Sequence, residues 1–534
     1  MMKTKQLFKT RLFSLAALFS IALAGVSCAN EDIAQNGKDG ENSKGFATFV
    51  ADAPTQTRTS IDYATGDFYW EEGDKIYVKD DDGTMQVSNA VDAAHAHSAS
   101  FKFKVPGKFG ASATYKVYYL GKNGGGNQVT IPTAQTQTKP NATDHLGDSG
   151  DYGTATATGT LGGSIFSFQL EHQPAYLVFQ PYTSNAVLKN CYLTKIEVNS
   201  DDDIAETYTI DPSTGNLNSS AGSKQIILTT KDPAAGSTNE KGFAFTNAAS
   251  ISTADKVYML IKPGAHTLKV RYWVKDYDTN VEGTITKVLP SFNYDKNTYY
   301  DMTANLNVKD YDGDHYYMWD AQDQYWKGHE WDHSGSQPTL SQGLTGATTS
   351  NDYAKSNADS RYYNEYIPGH GVSNPATHTP CKDLPNANEM SWYCMYGDPR
   401  WDADELWATM GHLYKGGMWF KKKSVLQAEN HYDPEKSADG STDLRTTVKF
   451  YTNTSSSINS GVPSAADAGN YFYLPVLGRY LSNQLNAVGI FANYWSSSAL
   501  PAYPVQAYFL EFFSGFVQVH YVSRDYGCRV GKFE

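Results

Sequence analysis

Cysteine is scarce in this chain, with five in 534 residues. A small fold stapled by many disulfides is therefore excluded, and hydrophobic cores must hold the structure together. Runs of Leu, Glu, Ala and Lys are almost missing, which excludes a helical bundle or a coiled coil. After residue 25 no stretch reaches the roughly 18 apolar residues that a membrane-crossing helix needs. Cations are in deficit: 44 Lys and Arg stand against 57 Asp and Glu, for a net charge of −13. Such a balance argues against nucleic acid and anionic lipid surfaces as partners. Chemistry-bearing patterns are also short. We expect no metalloprotease helix, and no Gly-x-Ser-x-Gly elbow occurs, so no catalytic residue, metal site or cofactor is assigned. The expectation is a protein that is not an enzyme.

What is present begins at the N-terminus. Lys3, Lys5, Lys9 and Arg11 precede an apolar run over 12–25 that only Ser14 and Ser20 interrupt. This is the pattern of a signal peptide, too short and wrongly flanked for a permanent span. The segment Ala24-Gly25-Val26-Ser27-Cys28 resembles a lipobox, with Gly25 where Leu usually stands. The resemblance implies cleavage between Ser27 and Cys28 and lipidation of Cys28. Residues 1–27 are read as the signal and 28–44 as a flexible tether. The first 27 residues carry four cations and no acid, so removing them moves the net charge from −13 to −17. Glu31 and Asp32, just behind the cysteine, resemble the surface-export signal of some Gram-negative lipoproteins. The expected location is the outer membrane at the cell surface, through the lipid, or a fimbrium.

Aromatic residues make up 13%, led by 38 Tyr, and 44 Gly punctuate them. Short exposed strands and tight turns suit that composition. Strands are expected at 46–50, 68–78, 101–105, 114–120 and 164–170. A second set runs through 175–180, 192–198, 208–210, 225–230, 257–261, 267–273, 284–289 and 299–306. Asp82-Gly83 marks a hairpin. Spacings of about 8–15 residues, broken by Gly, Pro, Asn and Asp, suggest antiparallel sandwiches over 45–170 and 171–307.

Thr57-Arg58-Thr59, then Phe68-x-Trp70-x-x-Gly73-Asp74-x-Ile76-x-Val78, resembles the opening of the fimbrillin family of Gram-negative pilus subunits. Residues 168–177, 258–264 and 287–302 resemble its later segments in order. The resemblance covers about 45–308 and implies two tandem transthyretin-like antiparallel β-sandwiches. It also implies a role in pili or adhesion, with other pilin subunits as partners by β-strand complementation. In that family a trypsin-like protease removes the first strand. Arg58 is the candidate maturation site, with Lys44 as a second.

The remaining residues, 308–534, are read as one further domain with its core at about 375–534. Asp310, Asp312 and Asp314 alternate as calcium ligands do, but the downstream Glu of such loops is missing. A solvated turn is the favoured reading. Asn386 with Glu389 forms a capping-box pattern that starts a helix running to Tyr396, stopped by Gly397-Asp398-Pro399. A second helix is expected over 402–413, with Leu406, Met410 and Leu413 on one side, and Glu405 and His412 on its polar face. Lys421-Lys422-Lys423 reads as a solvated hairpin end. The helix start, Leu474-Pro475-x-x-Gly478, Tyr494-Trp495-Ser496-Ser497 and Arg524-x-x-Gly527-x-Arg529-Val530 together resemble the FISUMP-type domain, which has the C-type-lectin-like fold. That implies a mainly β chain ending in an α+β lectin-like domain.

The triplets with which calcium-dependent lectins bind sugar are missing, so no such site is expected. Tyr494, Trp495 and Tyr508 are the candidate ligand surface, although Tyr494 and Trp495 read more readily as core. The lectin-like resemblance implies a Cys394–Cys528 disulfide, with Cys191 free and buried. The composite expectation is a surface lipoprotein adhesin that can serve as a pilus tip subunit, with a host or bacterial surface glycan or protein as its ligand. The alternatives are a lipid-tethered glycan-binding component of a glycan-utilisation system, and a structural pilus anchor without ligand.

Overall fold

The computed structural model describes residues 45–51, 60–62, 67–211, 214, 216–245, 250, 254–278, 280–311, 315–331, 352–365, 375–481, 484–531 and 533. Ser27, Cys28, Arg58, Asp312 and Asp314, with the signal and tether, lie outside these residues. Strand dominates the rest, as the composition implies.

The first sheet contains β1 (Phe46–Ala51), β2 (Phe101–Pro106) and β3 (Ile165–Phe168). Its order runs Met85–Val87, Ile76–Lys79, Thr114–Tyr119, Gly153–Gly159, β3, β1, β2. The Asp82-Gly83 hairpin forms as expected, with Gly83 at φ 81° donating its N–H to the Asp80 carbonyl. Alternation decides which side chains face inward: along β1 Ala47, Phe49 and Ala51 are buried, while Thr48 and Val50 are half-buried. These join Trp70, Phe103, Phe109, Tyr115 and Phe166 in one aromatic core.

The boundary expected between residues 170 and 171 is not a clean cut. Gln128–Ile131 pairs with Glu206–Ile210, and Ala134–Thr136 pairs with Gln225–Thr229, so a loop of the first half completes the second half's sheets. The physical reason is burial. Val129, Ile131, Leu146 and Tyr152 pack with Phe179, Ile196 and Leu260 in the second core. The alternation of Gln128–Ile131 spans only four residues, and Ala134–Thr136 and the strand Gly153–Gly159 offer no large apolar residue, so these strands are not marked in the sequence.

The second core is walled by β4 (Gly264–Lys275) and β5 (Glu282–Tyr294), paired antiparallel. The last domain has α1 (Ala387–Tyr396), then β6 (Arg400–Thr409) and β7 (His412–Lys421). Helix α1 starts at the expected capping box. Asn386 Oδ1 accepts the Glu389 N–H at 3.0 Å, and Glu389 Oε2 accepts the Asn386 N–H at 2.8 Å. It stops where Pro399 forbids a continued helix.

The helix expected over 402–413 is instead the β6–β7 hairpin. Met410 and Gly411 both take positive φ, 50° and 73°, which is the geometry of a tight hairpin turn. Pairing with Tyr471–Pro475 on one side and β5 on the other outweighs a weak helical spacing. Lys421–Lys423 is likewise not a hairpin end: Lys421 closes β7 against Glu429 at 2.6 Å, and Lys423 begins a short helix, Lys423–Ala428.

Because β6 pairs with β5 in parallel, one ten-stranded sheet runs from the second sandwich into the last domain. Leu406, Ala408 and Leu413 enter the second core itself. Among the described residues no helix is long and apolar enough to cross a membrane.

Candidate functional site

Strand β1 occupies a slot rather than an edge. It pairs antiparallel with β2 from Phe46↔Pro106 to Ala51↔Phe101, and parallel with β3 from Thr48↔Ile165 to Ala51↔Phe168. Phe49 fills the floor of that slot at 0% exposure. Its ring stacks on Phe166 at 5.2 Å and meets Phe109 edge-on at 5.3 Å. Removing β1 would leave two unpaired strand edges above an aromatic floor, which is the arrangement that accepts a strand from elsewhere. Arg58 lies seven residues beyond the end of β1, so a cut there separates β1 from the rest of the chain.

The aromatic residues expected to face a ligand are core residues. Tyr494, Trp495 and Tyr508 are 3%, 1% and 0% exposed. The Tyr494 hydroxyl donates to the Pro475 carbonyl at 2.9 Å, and Trp495 Nε1 donates to the Tyr317 carbonyl at 2.7 Å. Tyr508 accepts the Lys449 N–H at 3.3 Å. These strands are covered on both faces, and burying an amphipathic ring needs a partner for its polar end. Of the three, Tyr494 borders a cleft of about 350 Å³, also lined by Lys309, Tyr311, Tyr473 and Arg529.

The expected Cys394–Cys528 bridge is not formed; all four described cysteines are free and buried. Cys394 Sγ donates to the Val517 carbonyl at 3.3 Å inside one cluster. Cys528 sits in another, beside Cys381, Trp319 and Trp495. Burial pushes the Cys381 and Cys394 thiols up to about 12. They are inert as nucleophiles at neutral pH. Cys191 is free and buried, as expected.

Sequence reasoning missed one pattern. His329-Glu330-Trp331-Asp332-His333 spells the His-Glu-x-x-His order of zinc proteases. That chemistry requires a helix, so that both imidazoles share one face. Residues 329–331 instead come after a turn, and Glu330 Oε1 accepts the Gly328 N–H at 2.9 Å. Asp332 and His333 lie outside the described residues, and among the described residues no cluster of three metal-ligating side chains occurs.

Glu405 and His412 are not brought together. Glu405 on β6 reaches across the joint to β5. Its Oε1 accepts the Thr286 N–H at 3.0 Å, and its Oε2 accepts the Thr286 and Thr284 hydroxyls at 2.6 and 3.1 Å. Beside it Arg271 pairs with Asp402 at 3.0 Å, both nearly sealed from solvent, and Trp419 Nε1 donates to Asp402 at 3.1 Å. Burial, then the charge of Asp402, pushes the Glu405 carboxyl up to about 7. Gly283 lets the strands close, since a Cβ there would stand 2.3 Å from the Asp404 carbonyl oxygen. These bonds tie β6 to β5 across the joint.

At the far end, Cys528–Arg529 pairs with both Tyr316–Tyr317 and Ala492–Ala499. Phe533 packs its ring on Tyr393 at 5.3 Å and on Phe472 at 5.9 Å. Cys528, Arg529 and Phe533 are therefore engaged in their own domain.

No protein-family model matches this chain, and no curated protein does. Among solved structures it is similar to a proposed cell adhesion protein from Bacteroides ovatus ATCC 8483, at 15% identity and TM-score 0.29, covering 49% of this chain and 93% of that one. It is also similar to a fimbrial protein from the same strain, at 15% identity and TM-score 0.21, covering 52% and 53%. The fimbrial anchor protein Mfa2 from Porphyromonas gingivalis matches at 12% identity and TM-score 0.22, covering 46% of this chain and 82% of that one. At TM-scores below 0.5 such likenesses carry no functional weight, and the case for function rests on the chain's own strands.

Proposed function

We propose that this chain is a non-enzymatic cell-surface adhesion subunit that accepts a strand from a neighbouring pilus protein in place of β1. The observation that carries the reading is the position of β1, held between β2 and β3 over a core it fills with one phenylalanine. A strand that is early in sequence, interior in the sheet and followed by an Arg can be cut away and replaced. The chain accepts but does not donate through Cys528, Arg529 and Phe533, which are bound within the last domain. A subunit that takes a strand while these residues stay engaged suits an end of a fibre. The protein travels as a lipoprotein through Cys28 and ends at the outer surface.

A cut after Arg58 removes the lipidated Cys28 together with β1, which suits a fibre tip more than a lipid-held anchor, and the burial of Tyr494, Trp495 and Tyr508 favours a tip without an aromatic sugar platform. The test is Arg58→Ala in cells that make the fibre. The variant should stay with its first strand in place and out of the fibre. Incorporation equal to that of the unaltered protein would refute the reading.

A further inference from the structure

We propose that the slot holding β1 selects its replacement by side-chain size, small–aromatic–small at alternate positions, and that a protein other than a second copy of this chain supplies that strand. The inference rests on the strand-acceptor reading above and names the partner of the same slot.

The template is β1 itself. Three of its side chains point inward, Ala47, Phe49 and Ala51, at 3%, 0% and 1% exposure. The central position is an aromatic box: Phe166 stacks on Phe49 at 5.2 Å, and Phe109 and Tyr115 meet it edge-on at 5.3 and 6.4 Å. Those walls also touch one another, Phe109 to Tyr115 at 5.2 Å and Tyr115 to Phe166 at 4.9 Å. The box is thus preformed by residues that stay when β1 leaves. An incoming methyl group would leave it empty, whereas a ring fills it.

The flanking positions are the opposite case. Ala47 and Ala51 are sealed in the same close-packed core, where added methylenes force side chains off their rotamers. The outward positions impose little, since Thr48 and Val50 are half-buried and Phe46 is 55% exposed. The pattern reads the same in both directions. Direction must therefore be set by the backbone ladders to β2 and β3, not by side-chain size.

Within the 534 residues, Ala, Gly or Ser flanking an aromatic at this spacing recurs at Gly107–Ala111, Gly478–Ser482 and Ala492–Ser496. The first holds Phe109, a wall of the box itself. The second centres on Tyr480, fully buried and stacked on Tyr325 at 4.8 Å. The third lies in the strand Ala492–Ala499, buried along its length and paired with Gln506–Phe513 and Cys528–Arg529. None can leave without dismantling its own domain, so a second copy has no spare strand of this kind.

The test uses the full chain cut after Arg58 by an Arg-specific protease, then offered three soluble peptides in excess. One carries the β1 order Phe-Ala-Thr-Phe-Val-Ala, one the Phe49→Ala version, and one Leu at both inward flanks. Native mass spectrometry reads the exchange. We expect the first to replace β1, the second to bind at least about a hundredfold more weakly, and the third at least about tenfold more weakly. The cut chain alone should remain a monomer in sedimentation. Equal binding of all three would overturn the size rule while leaving strand acceptance intact. Self-assembly of the cut chain would overturn the claim about the partner. Failure of even the β1 sequence to bind would overturn strand acceptance itself, and this inference with it.

Discussion

Phe49 shows how much one residue can decide. It is fully buried and its ring contacts at least three others, so truncation removes transfer energy and opens a cavity that aromatic walls cannot close. Phe49→Ala should lower the stability of the first sandwich by about 3–5 kcal/mol, read in denaturant unfolding monitored through the buried Trp70. Glu405 makes a different prediction. Its carboxyl is raised to about 7 in the folded chain, above its ordinary value. The contribution of such a group is fully present below the ordinary value and is lost as pH rises through about 7. The unaltered chain should therefore melt at a higher temperature near pH 5 than near pH 8. Glu405→Gln, which keeps the hydrogen-bonding shape without the charge, should reduce that difference by about 1–2 kcal/mol, part of Glu405 being exposed and so screened. An unchanged pH difference in the variant would remove Glu405 as its source. The His-Glu-x-x-His order at 329–333 teaches the reverse lesson, since the motif has meaning only on a helix and residues 329–331 are not on one.

Among the elements, α1 was the most legible. Its start depends on two side chains three residues apart, and its end on a proline, so local chemistry is sufficient. Asn386→Ala should cost about 1 kcal/mol, measurable as a lower midpoint in thermal unfolding of the last domain. Most strands of the two sandwiches were legible for the same reason, because alternation and Gly-rich turns are local. The β6–β7 hairpin was not. Its apolar residues fit helical spacing, and what makes it a hairpin is pairing with Tyr471–Pro475 and β5, partners 50 and more residues away. The crossover of Gln128–Ile131 into the second core was hidden likewise, because its alternation spans only four residues and its partner strand, Glu206–Ile210, lies about 75 residues on. Of the candidate site, the slot was partly legible: the strand could be read, but not that it lies between β2 and β3. The aromatic ligand surface failed because Tyr and Trp serve cores and surfaces alike, and only pairing on both sides decides which. The cysteine pair failed because a match in chain order does not fix which buried thiols become neighbours.

At the scale of the whole molecule, the sheet that continues from β5 into β6 ties the last domain to the second core through the Thr284–Glu405 pair. Gly283 is a point of close approach, and Gly283→Ala would press a methyl group into the Asp404 carbonyl. That variant should loosen the joint, seen as a larger radius of gyration in small-angle scattering with both sandwiches still folded. Under the proposed reading, a chain that takes a strand over its first core while Cys528, Arg529 and Phe533 stay engaged in the last domain suits the end of a fibre. The most direct test is the mass of the chain recovered from the cell surface. Strand replacement predicts a protein that begins at Thr59, with β1 gone and a foreign strand in its slot. A recovered chain that begins at lipidated Cys28 and still carries β1 would contradict it.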